Sequence, residues 1–149
     1  MKRFISQRLF ALMLSAIGVL TFVAPAQAVQ RAYVSRGTAQ FTGPNTFIGT
    51  GTATHLARYD EAGSVEFSAT EDPTVLHLEA LATYTTANGD QIHAAFTGQL
   101  NGVTGAISAT VTYTGGTGRF ANATGMATLS GQLGASGTIE VVVKGTIDY

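Results

Sequence analysis

Three kinds of residue in this chain have types and spacings that suit chemistry. The first is a set of imidazoles and carboxylates. His77 and Glu79 stand two positions apart and His93 follows on a later segment. These residue types ligate divalent metals, provided that the backbone brings them together. The second is a set of weak acids and hydroxyls suited to orienting a polar group or stabilising charge: His55, Tyr33, Tyr59, Tyr84 and Tyr113. The third is the glycine-rich run Gly115-Gly116-Thr117-Gly118-Arg119-Phe120-Ala121-Asn122-Ala123-Thr124-Gly125, since glycine loops can present backbone donors to an anion. Other chemistries are excluded at once. The chain has no cysteine, which removes thiol catalysis and disulfides, and it contains no Gly-x-Ser-x-Gly nucleophile elbow.

What these residues can do depends on the elements that carry them. The chain reads as eight short strands, near 32–42, 47–59, 63–70, 74–86, 90–100, 105–114, 123–133 and 137–147. Threonine, valine and isoleucine recur in them, branched residues that fit a pleated surface. Gly43-Pro44-Asn45 closes the first strand, because proline cannot donate to a ladder. Asn88-Gly89 and Asn101-Gly102 are hairpin signals, because both residue types tolerate positive φ. A helical turn is expected only near Phe120-Ala121-Asn122. Along each strand the residues alternate. One face carries Tyr33, Phe67, Leu78, Phe96, Val111, Leu129 and Val143, and the other Thr50, Thr52, Glu66, Glu79, Thr110, Thr128, Glu140 and Lys144. Leu81 and Val142 are exceptions on the polar face. The pattern predicts an all-β fold: an eight-stranded antiparallel barrel, closed so that no edge strand is exposed, with an apolar lumen.

The Asn88-Gly89 hairpin fixes a register. A two-residue loop would oppose Tyr84 to His93 and mix the faces. A three-residue loop of Ala87-Asn88-Gly89, with Gly89 left-handed, pairs Tyr84 with Ile92, Ala80 with Phe96 and Leu76 with Leu100, apolar with apolar throughout. In that register His93 opposes Thr83, six residues or about 20 Å along the strand from His77. The two histidines then cannot share an ion, and no metal or other cofactor is expected. His55 has the parity of Phe47 and Tyr59 and is placed on the inward face with the four tyrosines, as a candidate ligand-binding set. Every mid-strand glutamate falls on the outward parity, so the lumen is expected to hold no carboxylate. No catalytic residue is assigned, and binding is favoured over catalysis. Small inward residues, among them Gly37, Gly49, Gly51, Ala53, Ala94, Gly125 and Ala127, are expected to leave space in the lumen.

The glycine run reads physically as a corner between two strands, with Gly115, Gly116, Gly118 and Gly125 permitting the turn and Phe120 closing one barrel end. The phosphate-cradle reading lacks its following helix and its lysine. The same run resembles the corresponding segment of dirigent proteins and, more loosely, the Gly-Gly-x-Gly-x-Phe segment of allene oxide cyclases. The pieces GTGTATHLARY and TTANGDQIHAAFTG resemble small secreted bacterial proteins of the same barrel superfamily. The resemblance implies an eight-stranded antiparallel barrel. Thr124 stands where dirigent proteins usually carry arginine, and their acidic and basic pocket residues have no clear match, so it implies fold rather than activity.

The first 28 residues read as an export signal. Lys2, Arg3 and Arg8 form a positive start, Leu9 to Val23 an apolar stretch, and Ala26-Gln27-Ala28 a cleavage site. The expected product is a signal helix followed by a single barrel domain over 29–149, periplasmic or extracellular after cleavage at Ala28. Of eight basic residues three lie in the signal, leaving five against nine acidic ones and a net charge of −4. Nucleic acid and anionic lipid are therefore poor partners. The composition is compatible with a homo-oligomer. The leading expectation is an exported barrel that binds a small apolar ligand in its lumen, without stable membrane insertion. The alternatives are a cyclase- or dirigent-like enzyme acting on an apolar substrate, and an outer-membrane or surface structural barrel.

Overall fold

The computed structural model describes residues 29–149. The signal segment, its cleavage site and the signal helix lie outside the described residues. The chain folds into eight antiparallel strands: β1 (Arg31–Phe41), β2 (Thr46–Ala53), β3 (Ala57–Ala69), β4 (Val75–Thr86), β5 (Gln91–Asn101), β6 (Ala106–Gly116), β7 (Thr124–Leu133) and β8 (Thr138–Asp148). Each pairs with its neighbours in sequence, and β1 pairs with β8 to close the barrel. Closure gives every strand two partners and leaves no ladder unpaired.

The alternation read from the sequence is the alternation observed. Tyr33, Val65, Phe96, Val111, Leu129 and Val143 are buried, while Thr50, Glu66, Thr110, Thr128 and Lys144 face outward and are exposed. Leu81 is exposed, as its parity requires. The β4–β5 hairpin adopts the three-residue loop: Tyr84 pairs with Ile92, Ala80 with Phe96 and Leu76 with Leu100. Gly89 has φ +87°, the left-handed conformation that the loop demands.

One boundary differs from the sequence reading. The expected second strand, 47–59, stops at Ala53, and β3 begins at Ala57 rather than near residue 63. The turn between them carries no glycine, proline, asparagine or aspartate to announce it. It is made by His55 and Ala57, which take φ +72° and +57° despite carrying side chains. Tertiary contacts hold this costly backbone. Leu56 is buried in the core. Thr54 exchanges hydrogen bonds with Val34, and the Arg119 guanidinium donates to the His55 carbonyl at 2.8 Å. Gly63 resembled a strand start but lies mid-strand. It makes room for the Phe47 ring, whose Cζ would stand 2.5 Å from a Cβ at that position.

The two barrel ends are packed differently. At one end Tyr33, Ile92, Ile147 and Phe120 are almost fully buried. Phe120 belongs to a short 3-10 turn, Gly118–Phe120, two residues ahead of the expected position. Its ring stacks edge-on against Tyr149 with centroids 4.7 Å apart, and Arg31 caps Tyr149 at 4.3 Å. Gly115, Gly118 and Gly125, at φ +117°, +57° and +138°, turn the chain around this plug. The Asp90 carboxylate fills the position that a Gly118 side chain would occupy, and Gly116 lies against the backbone of Gln91. At the opposite end, where β1 finishes and β8 starts, Phe47, Phe67, Leu78, Ile107 and Val141 are only partly buried, and Phe41 is exposed.

Candidate functional site in the barrel lumen

The partly buried end opens into the barrel. A cavity runs inward from Phe41, Phe67, Leu78, Ile107 and Val141 to a floor formed by Tyr59, Glu61 and Tyr84. Its volume is about 80 Å³. The wall is apolar, with Ala39, Ala80 and Ala109 as its small positions. These alanines keep the space open. The inward glycines expected to do so have another role. A Cβ on Gly49 would stand 2.9 Å from Glu61 Oε2, and one on Gly51 would stand 2.5 Å from the Tyr59 hydroxyl. Their missing side chains are the room that Tyr59 and Glu61 occupy.

Glu61 corrects the expectation of a lumen without carboxylates. It lies mid-strand in β3, points inward, and is only 9% exposed. The reason is the misplaced turn: with 47–59 taken as one strand, Glu61 fell into a loop. The signal for it was nevertheless present. Carrying the parity of Phe67 and Val65 back through Gly63 reaches Glu61 and then Tyr59.

Burial sets the chemistry of this carboxyl. Loss of solvation pushes Glu61 up from the ordinary 4.5 to about 7, while a hydrogen bond with Tyr84 acts in the opposite direction. The phenols are raised as well, each chiefly by burial. Tyr84 also feels the Glu61 charge, and a hydrogen bond with Ser35 partly offsets the rise at Tyr59. Ser35 Oγ lies 2.8 Å from the Tyr59 hydroxyl. Behind them the rings of Tyr33 and Tyr113 meet edge-on, centroids 5.2 Å apart. A carboxyl that titrates near neutrality can donate or accept a hydrogen bond or a proton.

The expected ligand-binding residues therefore divide. Tyr59 and Tyr84 line the cavity, their rings 5.0 Å apart and nearly perpendicular. Tyr33 and Tyr113 are buried toward the plugged end and support the floor without lining the cavity. His55 does not belong to the set. It sits in the β2–β3 turn, exposed, with Nε2 3.1 Å from the Ala32 carbonyl and its ring against Tyr149. The parity argument failed for it because parity holds only within a strand. His77 and Glu79 face outward, 3.5 Å apart, and His93 hydrogen-bonds its register partner Thr83 at 3.2 Å.

The molecule is thus a closed antiparallel barrel, plugged at one end, whose open apolar lumen ends on one carboxyl and two phenols. No protein-family model, curated protein or solved structure matches the chain.

Proposed function

We propose that the protein is an exported barrel that holds a small apolar molecule in its lumen. The observation that carries this reading is the cavity: its apolar wall is open at one end and stops at a small polar floor. Ligand pockets generally combine an apolar lining with a few placed polar groups. The ligand enters past Phe41 and Phe67, lays its apolar body against the wall, and presents one polar group to Glu61, Tyr59 and Tyr84. The export signal supports a periplasmic or extracellular location after cleavage at Ala28. The polar outward face supports life in water, since a membrane barrel presents apolar residues to lipid. The glycine run and the closed eight-stranded barrel together favour kinship with the allene oxide cyclase and dirigent superfamily.

Native mass spectrometry of the protein purified without detergent tests the reading. A bound mass that dissociates on collisional activation is the expected result. A bare polypeptide mass that also takes up no apolar probe overturns it.

A second reading is an enzyme of the cyclase or dirigent kind. The near-neutral Glu61 favours it, because acid–base catalysis works best with a group titrating near the working pH. Glu61 would then be the proton donor or acceptor, and its replacement by glutamine would lower turnover of bound substrate far more than it weakens binding.

A further inference from the structure

The cavity floor contains a negative group without a positive one. Glu61 is paired in register with Tyr84 on β4 and lies over Gly49 on β2. On its own strand the next inward residues are Tyr59 and Gly63. Among the described residues no lysine, arginine or histidine lines the cavity. From β1, β5, β6, β7 and β8 the wall residues facing it are Ala39, Phe96, Ala109, Leu129 and Val143. Among the described residues the other titratable groups near it are Tyr33 and Tyr113, both phenols.

Resting on the lumenal reading above, we propose that this site selects a short alkylamine, its ammonium seated on the Glu61 carboxylate beside Tyr59 and Tyr84. Three physical points carry the choice. A buried carboxylate is costly unless it is paired, and a cationic head supplies the missing countercharge. An anionic head would instead place two like charges in one apolar site. An ammonium needs acceptors for three N–H donors, and the carboxylate and phenol oxygens provide them. The aromatic rings of Tyr59 and Tyr84 add faces that favour a cation. The body is short because the cavity is small. At about 80 Å³ it suits a medium-length chain with its far end at the mouth better than a long-chain fatty acid.

Octylamine, octan-1-ol and octanoate, titrated separately into the full mature protein, test the proposal. The chain has no tryptophan, and two of its five tyrosines, Tyr59 and Tyr84, lie in the floor, so tyrosine emission responds to a ligand seated there. Octylamine should bind at least about tenfold more tightly than octan-1-ol at about pH 8, with octanoate weakest. Its affinity should rise about tenfold from near pH 6 to about pH 8, as the carboxylate forms, while that of octan-1-ol should not rise. Glu61→Gln should bring octylamine to within about twofold of octan-1-ol. If that variant does not fold, the pH series on the native protein carries the same decision. Alcohol or octanoate binding as tight as the amine, or an amine preference independent of pH, overturns amine selection and leaves the lumenal reading standing. Binding of none of the three overturns both.

Discussion

Glu61 and Tyr84 are direct partners in the β3–β4 register, and both side chains form the floor of the lumen. Antiparallel partners lie within about 5.5 Å of each other, so the ladder itself holds the phenol against the carboxyl. No loop is needed to bring the two together.

The first prediction concerns acidity. Glutamates of the unfolded chain ionise near 4.5, whereas folding holds Glu61 protonated up to about 7. Between these values the folded state binds the extra proton. The contribution to stability is therefore fully present below about pH 4.5, is lost as pH rises through about 7, and is constant above that. The full change is about 3 kcal/mol. Glu61→Gln should flatten this dependence and make the protein more stable than the native chain at about pH 8. Denaturant midpoints measured at several pH values check it. A native profile without this fall would show that the carboxyl is not buried.

Gly49 supplies a second prediction. Alanine there places a Cβ 2.9 Å from both Glu61 Oε2 and the Thr38 carbonyl. Overpacking of this kind costs typically 1–3 kcal/mol. Gly49→Ala should lower stability by about that amount and change tyrosine emission, since Glu61 must shift against Tyr84. A neutral substitution would mean that the carboxyl points elsewhere.

The third prediction contrasts the two faces. Phe96 is 6% exposed and packs in the core, whereas Thr110 lies on the outer surface. Phe96→Ala should cost about 3–5 kcal/mol and Thr110→Ala under about 0.5 kcal/mol in chemical denaturation. Similar losses at both positions would contradict the assignment of faces.

Export gives the fourth. N-terminal sequencing of the protein recovered outside the cytoplasm should begin at Val29. Recovery of the exported form with Met1 intact would contradict cleavage after Ala28.

Much of the barrel was legible because a period of two survives wherever one face is buried. Tyr84 and Ile92 could be paired from the apolar pattern and one glycine, and the strands from β4 to β8 followed within a residue or two. The β2–β3 turn was not legible, because His55 and Ala57 adopt conformations that their residue types disfavour. Only contacts distant in sequence hold them there, those of Arg119 and Val34 among them. That error hid Glu61 and displaced His55 into the lumen. Tyr59 and Tyr84 were found because their parity was right on either placement. The openness of the lumen was not legible either. Gly49 and Gly51 face inward as expected, but side chains from β3 fill the space beside them, and the cavity lies instead along Ala39, Ala80 and Ala109.

The most direct test of the lumen as a binding site is calorimetric titration of octan-1-ol into the native protein and into Ala39→Phe. Ala39 lines the cavity, and a phenyl ring there occupies space that a ligand needs. Saturable one-to-one binding to the native protein is expected, with at least about tenfold weaker binding to a folded Ala39→Phe variant, a difference of about 1.4 kcal/mol. No saturable binding of octan-1-ol, octylamine or octanoate to the native protein, or unchanged binding to the folded variant, would contradict a binding site in the lumen.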